Sequence, residues 1–295
     1  MAVLAFVGFG ELGRGLAEGL GSSGRHELRA YLRKAPAPGS GTDQALARVG
    51  VQHSVELSAA MSGADAVLVV VPPASAREVA TRCAPLLRRG TLYVDFASAA
   101  PEHKEEAAAI VERSGALYVD VAVLGTVLMS GHEVPMLASG AGAHAWQALV
   151  TPDGLRVTAI DAPAGHAALV KLLRSIYVKG RDALIVETML AAKRHGLEDL
   201  VADSIDGPGE HVSFPALADR VLCSLAMHAE RRADELAAAS DVVRRAGIDP
   251  ALTRAGSETL RAVASLGLAE AWGGKRPTDA GAVLAAIDER SRRRH

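Results

Sequence analysis

The sequence predicts a doubly wound α/β domain over residues 1–161, followed by an all-α domain over residues 162–295. Three observations carry this. From Ala2 to about Val121, short apolar runs alternate with helical stretches, the pattern of a parallel sheet with crossover helices. After Pro163 the hydrophobic period becomes almost continuously helical. The 295 residues suffice for two cores, and a composition 49% apolar but only 3% aromatic suits helix-rich α/β architecture.

Strands are read at Val3 to Val7, Leu28 to Leu32, weakly at Val51, then at Ala66 to Val71, Leu92 to Phe96 and Leu117 to Val121. Helices lie between them, clearest at Leu12 to Leu20, Ser75 to Leu87 and Pro101 to Arg113, each bounded by Gly, Pro or Ser. The Pro- and Gly-rich stretch Ala35 to Gly41 falls between the second strand and its helix and reads as a surface loop. Val134 to Ala138, a short helix at Ala141 to Leu149, and Arg156 to Ile160 extend the sheet. Pro163 to His195 then reads as one helix, opened by proline and closed by Gly196, with Gly180 inside. At about 1.5 Å per residue it is a rod of about 50 Å. Because it is apolar on more than one face, it is expected to form the spine of the second domain and a homodimer interface. Pro215 to Ala246, Pro250 to Leu266 and Thr278 to Arg290 complete the helices.

Several function classes fall away. The net charge of -2 leaves no basic surface for nucleic acid, and the cluster Arg292 to Arg294 reads as a solvated terminus. Cys83 and Cys223 fit no zinc, haem or disulfide spacing, which points to a reducing cytoplasm. The apolar start, Ala2 to Val7, lacks a basic flank and stops at Gly8 after one strand's length, and no membrane span is expected elsewhere. His166, His195, His211 and His228 have no ligand spacing, so no metal is expected.

The first strand runs into Gly8-Phe9-Gly10-Glu11-Leu12-Gly13 and then directly into a helix. In that context the glycines serve a dinucleotide: Gly8 for the tight turn, Gly10 for approach of the pyrophosphate, Gly13 for helix-on-strand packing. The helix N-terminus offers free N–H groups to the phosphates. An NAD site of this Rossmann type carries an Asp or Glu about 20 residues on, at the end of the second strand. Here the strand ends Leu32-Arg33-Lys34, cationic where the carboxylate would stand, which favours the 2′-phosphate of NADP. The alternative, that Arg33 and Lys34 are ordinary loop charges, carries the lesser weight. The strand ends Val71-Pro72-Pro73 and Asp95-Phe96-Ala97-Ser98 should also border the ligand. Ser98 either bonds nicotinamide or substrate, or caps the helix at Pro101.

Lys171, Ser175 and Lys179 recur at i, i+4 and i+8, on one face of the long helix. Such lysines either face a ligand or snorkel to water.

The order of a glycine-rich Rossmann turn, an aspartate-led loop after the sixth strand and a lysine inside a long helix resembles the β-hydroxyacid dehydrogenases of the 6-phosphogluconate dehydrogenase-like superfamily. Asp120-Val121-Ala122-Val123-Leu124-Gly125-Thr126 occupies the place of the family's Asp-x-Pro-Val-Ser-Gly-Gly. Gly165-His166-Ala167-Ala168-Leu169-Val170-Lys171-Leu172-Leu173-Arg174-Ser175 matches its Gly-x-Gly-x-x-x-Lys-x-x-Asn-Asn. The resemblance implies hydride transfer between NADP and a small hydroxy acid or related alcohol or carbonyl. It makes Lys171 the general acid/base, with Ser175 in place of the usual Asn. Leu124, Gly125 and Thr126 would read the substrate, with Ser98, Arg174 and Lys179 contributing, although surface pairing is the plainer role for Arg174 and Arg232. Leu32-Arg33-Lys34 resembles the Asn-Arg-Thr that reads NADP in many members. Lys171 to Gly180 and Arg231 to Leu236 resemble a branch whose helical C-terminal domain has no assigned function. Imine reductases share the architecture but tend to replace this lysine, and a cofactor-binding regulator without turnover is the rival from another class.

Overall fold

A computed structural model describes residues 1–125, 127–206 and 212–293, which divide by contacts into two compact units, Met1–Ile176 and Tyr177–His295. The first unit follows the alternation read from the sequence. Its elements are β1 (Ala2–Val7), α1 (Glu11–Ser22), β2 (His26–Tyr31), α2 (Gly41–Arg48), β3 (Gln52–Ser54), α3 (Leu57–Met61), β4 (Ala66–Val69) and α4 (Ala76–Cys83). There follow β5 (Leu92–Asp95), α5 (Pro101–Glu112), β6 (Leu117–Val123), α6 (Val127–Ser130), β7 (Met136–Ser139), α7 (Ala143–Val150) and β8 (Val157–Ala159).

The strands form one eight-stranded sheet of order β3-β2-β1-β4-β5-β6-β7-β8. Successive strand residues face opposite sides, and both sides are packed. Leu4, Phe6, Leu68 and Val94 join one core, while Ala5, Val7, Val67 and Val69 join the other. β1 and β4 are parallel neighbours at which the order of winding reverses, leaving a crevice beyond their carboxyl ends where open α/β sheets bind ligands.

One pairing departs from the parallel sheet expected: β7 runs antiparallel to β6, with Val123 opposite Met136. The intervening segment does not cross the sheet as a parallel connection must. Instead Val127 and His132 pack against α1 at Gly15 and Gly19, where no side chain stands in the way. Of the short helices, α6 was not anticipated, whereas α2 and α3 fall between strands where helices were expected; α2 begins at the end of the stretch read as a loop, capped by Ser40, whose Oγ accepts from Asp43 N at 3.3 Å.

α8 (His166–His195) is the long helix, 30 residues and about 45 Å at about 1.5 Å per residue. The sequence division at 161/162 marks where strands give way to helix; the contact division falls later, within α8. The reason is local. Gly165 and Ala168 donate backbone N–H groups to Asp120 Oδ2 at 3.1 and 3.0 Å, and Ala167 N donates to Ser139 Oγ at 3.0 Å, tying the head of α8 to the sheet.

The second unit contains the rest of α8 with α9 (Glu198–Ile205), α10 (Phe214–Arg245), α11 (Ala251–Ala264), α12 (Leu268–Ala271) and α13 (Ala280–Arg292). α10 kinks at His228, where φ is -131° and ψ 15°. Ala226, Leu266, Leu268 and Val283 form a small core. Glu187 on α8 accepts Leu252 N and Thr253 N, both at 3.1 Å, and the Thr253 hydroxyl, so it caps α11 from a distant element. Burial opposes its charge, but these hydrogen bonds prevail and hold the carboxyl below its usual range. Among the described residues no helix is long and apolar enough to cross a membrane.

Candidate functional site

Two cavities of the first unit lie beyond the carboxyl ends of its strands. The first is a cleft of about 370 Å³ between the β1–α1 turn, the end of β2 and the segment after β4. Gly8 has φ +95°, and a Cβ there would collide with the Val70 carbonyl, so the turn demands glycine. A Cβ on Gly10 would meet nothing within 4 Å, leaving the backbone open to a ligand. Gly10 is the N-cap of α1 and no side chain caps it, so the first N–H groups of α1 face the turn unpaired. These features fit a dinucleotide pyrophosphate.

Of the residues assigned to the cofactor from sequence, Gly8, Phe9, Gly10, Leu32, Arg33, Val71 and Pro72 line this cleft. Glu11, Leu12, Gly13, Lys34 and Pro73 do not line it. Leu12 instead packs on the core, and a Cβ on Gly13 would lie 3.2 Å from Gly8 O, the close helix-to-turn packing expected. Arg33 is exposed and has no side-chain partner among the described residues. Arg82 of α4, which sequence reasoning missed, lines the same wall. Its Nη2 donates to the Tyr31 hydroxyl at 3.2 Å and its guanidinium lies 5.7 Å from the ring centroid. Nothing in the sequence joins Arg82 to Arg33; only the parallel neighbours β1, β2 and β4 bring α4 alongside.

The second cavity, about 200 Å³, is bounded by Ala97 to Ala99 after β5, Asp120 to Ala122 of β6, and Ala168, Lys171, Leu172 and Ser175 of α8. Lys171 Nζ donates to Ser98 Oγ at 2.8 Å. Ser98 therefore serves the cavity and not the helix: the N-cap of α5 is Ala100, with no side-chain cap. The Ser175 hydroxyl donates to Lys171 O at 2.9 Å, which leaves its oxygen free to accept from a ligand. Burial, then the charge of Lys104, then that of Arg174, lower the Lys171 pKa, while Asp120 opposes them. Lys179, placed by spacing on the same helix face, is mostly exposed in the second unit and pairs with Asp182 at 3.9 Å.

Other assignments part from the cavity. Leu124 N donates to Pro135 O at 2.8 Å, continuing the β6–β7 pairing, and neither Leu124 nor Gly125 bounds the cavity. Thr126 lies outside the described residues. Arg174 is exposed and acts on Lys171 by charge alone. Arg232 donates to Ser224 Oγ at 2.8 Å in the second unit, a structural pairing.

Beneath Lys171 lies a charged cluster that the sequence reading did not identify. Lys104 of α5 is 1% exposed, 3.2 Å from Asp95 Oδ2 and 3.3 Å from Asp120 Oδ1. A signal for it existed: Lys104, Ala107, Ala108 and Val111 follow i, i+3, i+4 and i+7 spacing, and all four are buried.

Residues 3–150 match the family described as the NAD binding domain of 6-phosphogluconate dehydrogenase, and residues 192–263 match a domain of unknown function, DUF1932. A conserved hypothetical protein from Sinorhizobium meliloti 1021 is 27% identical, with 98% of this chain and 97% of that one covered and a TM-score of 0.61. The conserved protein MTH1747, of unknown function and described as structurally similar to 3-hydroxyacid dehydrogenases, is 28% identical, with 90% and 99% covered and a TM-score of 0.61. An imine reductase from Myxococcus stipitatus in complex with NADP+ is 16% identical, with 90% and 95% covered and a TM-score of 0.73, a likeness of fold.

Proposed function

The chain belongs to the family of the NAD binding domain of 6-phosphogluconate dehydrogenase, and from that premise we propose that it is an NADP-dependent oxidoreductase acting on a small hydroxy acid or related alcohol or carbonyl, with Lys171 as general acid/base. The observation that carries this is the Lys171 ammonium, held 2.8 Å from Ser98 in a cavity beyond β5 and β6 with its pKa lowered by burial.

When bound, the nicotinamide supplies or takes up a hydride. The residues of the chain divide the remaining work. The β1–α1 turn and the N-terminus of α1 hold the pyrophosphate, and Arg33, with Arg82 beside it, holds the 2′-phosphate. The lack of any carboxylate at the end of β2 and the unpartnered Arg33 support NADP over NAD. Neutral Lys171 takes the hydroxyl proton during oxidation, and protonated Lys171 returns it during reduction. Ser98 orients the lysine, and Ser175 accepts a hydrogen bond from the substrate. Since Leu124 and Gly125 lie off the cavity, substrate selection falls to Ser98, Ser175 and the apolar Val121, Ala122 and Leu172.

The second reading, reduction of a C=N bond, is favoured by the fold likeness to imine reductases and opposed by Lys171 itself. NADPH oxidation assayed on 3-keto acids and cyclic imines, then repeated with NADH, separates the readings. Turnover of keto acids that is lost in Lys171→Ala supports the first. Turnover of imines alone, unchanged in that variant, overturns it. If nothing is turned over although NADPH binds, the non-catalytic regulator stands.

A homodimer is part of this proposal. In the second unit, Ile185 and Val186 of α8 are 53% and 66% exposed, apolar side chains that a second copy would cover. A monomeric mass in light scattering would overturn it. A reducing, cytoplasmic setting is also part of the proposal, supported by Cys83 and Cys223 being unpaired with each other and fitting no disulfide spacing.

A further inference from the structure

Lysine is almost never buried unless paired. Lys104 is buried because β5 and β6 place two carboxylates in register, Asp95 opposite Asp120, both nearly inaccessible. Like charges directly opposite repel across a sheet. The Lys104 ammonium, 3.2 and 3.3 Å from the two carboxylates, compensates one of them and donates to Asp95 O at 2.9 Å.

Each carboxylate then holds one partner of the Lys171–Ser98 bond. Asp95 accepts Ala97 N at 2.8 Å and the Tyr118 hydroxyl at 2.6 Å, shaping the strand exit that presents Ser98. Burial and Asp95 keep the Tyr118 phenol neutral and donating. Asp120 Oδ2 accepts Gly165 N and Ala168 N, fixing the head of α8 one turn before Lys171. Its Oδ1 accepts no hydrogen bond among the described residues and lies 3.3 Å from the Lys104 ammonium. Formal charges of Asp95, Asp120 and Lys104 leave one negative charge for Lys171 to face.

We propose that Lys104 is a positioning residue for Lys171, anchoring the two carboxylates that fix Ser98 and the head of α8 and leaving one uncompensated carboxylate beneath the catalytic amine. The proposal rests on reading Lys171 as the acid/base. The other charges about this amine are Arg174 on α8 and, near the head of the helix at Gly165, Glu105 of α5. Removing Lys104 exposes Lys171 to two carboxylates and favours its protonated form; removing the charge of Asp120 or Asp95 does the reverse.

The test uses substrate-free full-length protein labelled with 13Cε-lysine. The chain has six lysines, Lys34, Lys104, Lys171, Lys179, Lys193 and Lys275, and the Lys171 resonance is assigned by its loss in Lys171→Arg. The titration midpoint of Lys171 should rise in Lys104→Met and fall in Asp120→Asn, whose amide oxygen still accepts the N–H groups of α8. If Lys104→Met does not fold, Asp95→Asn and Asp120→Asn carry the test, and both must lower the midpoint. Unmoved midpoints, or shifts of the same sign in Lys104→Met and Asp120→Asn, overturn the proposal. Because no substrate is used, a failure of the hydride-transfer reading appears separately, as turnover that survives Lys171→Ala.

Discussion

The cofactor cleft and the lysine cavity occupy the same edge of one sheet, yet they are built on different principles. The cleft is made mostly of backbone: a glycine at φ +95°, an open glycine and uncapped helix N–H groups, all within a few residues of one another. The cavity is made of residues drawn from the segment after β5, from β6 and from α8, and its Asp120 belongs to a buried ion cluster with Asp95 of β5 and Lys104 of α5. Backbone sites tolerate change in their surroundings; a cavity standing on buried charge does not, because removing one member strands the others.

The largest effect should therefore come from the cavity. Lys171→Ala is expected to lower kcat/KM by about 100- to 10,000-fold, the range for losing a general acid/base, while NADPH affinity stays near that of the unchanged protein. An equal loss of affinity would mean that the two regions are not separable. The pH profile sharpens the point. Since burial lowers the Lys171 pKa, oxidation should rise with pH through that pKa as the amine becomes neutral. Reduction should fall over the same window, as the proton to be donated is lost. Steady-state rates in both directions check this, and a shared direction of change would remove Lys171 from proton transfer.

In the cleft, Arg33→Ala should weaken NADPH by about 10- to 100-fold, corresponding to about 1.5–3 kcal/mol for charged hydrogen bonds, and leave NADH unchanged. Fluorescence titration with each nucleotide measures the ratio. Arg82→Ala should weaken NADPH by a smaller factor, because its guanidinium is already engaged with Tyr31. If both nucleotides lose affinity equally in these variants, the arginines support adenosine and do not read the 2′-phosphate.

The smallest effect on either region should come from Glu187→Ala, a control in the second unit. Loss of the α11 cap should cost about 1–3 kcal/mol of stability with nucleotide affinity intact, read by chemical denaturation. The Glu187 pKa is depressed in the folded state, so its contribution is present above the carboxyl's unfolded pKa and fades as pH falls through the folded one. The variant should accordingly lose its deficit in acid.

The same contrast governs how much of the molecule could be read in advance. The Gly8 to Gly13 turn and the alternation of strands and helices are local patterns, so fold and cofactor cleft were legible. Lys171 and Ser175 were legible because one helix face joins them. Lys104 and Arg82 were not, since their meaning depends on which strands become neighbours. Lys179 shows the converse error: helical spacing put it on the face of Lys171, but it is exposed and paired with Asp182. Leu124 lies off the cavity because its N–H continues the antiparallel β6–β7 pairing, a partner that residue spacing alone does not reveal.

The most direct test of the account is transfer of deuterium from NADPH deuterated at nicotinamide C4 to a panel of 3-keto acids and cyclic imines, followed by mass spectrometry. Label is expected in the hydroxy-acid product with the unchanged protein, and its initial rate of appearance should fall by about 100-fold or more with Lys171→Ala. Label arriving equally with both proteins, or from NADH as readily as from NADPH, would contradict the account.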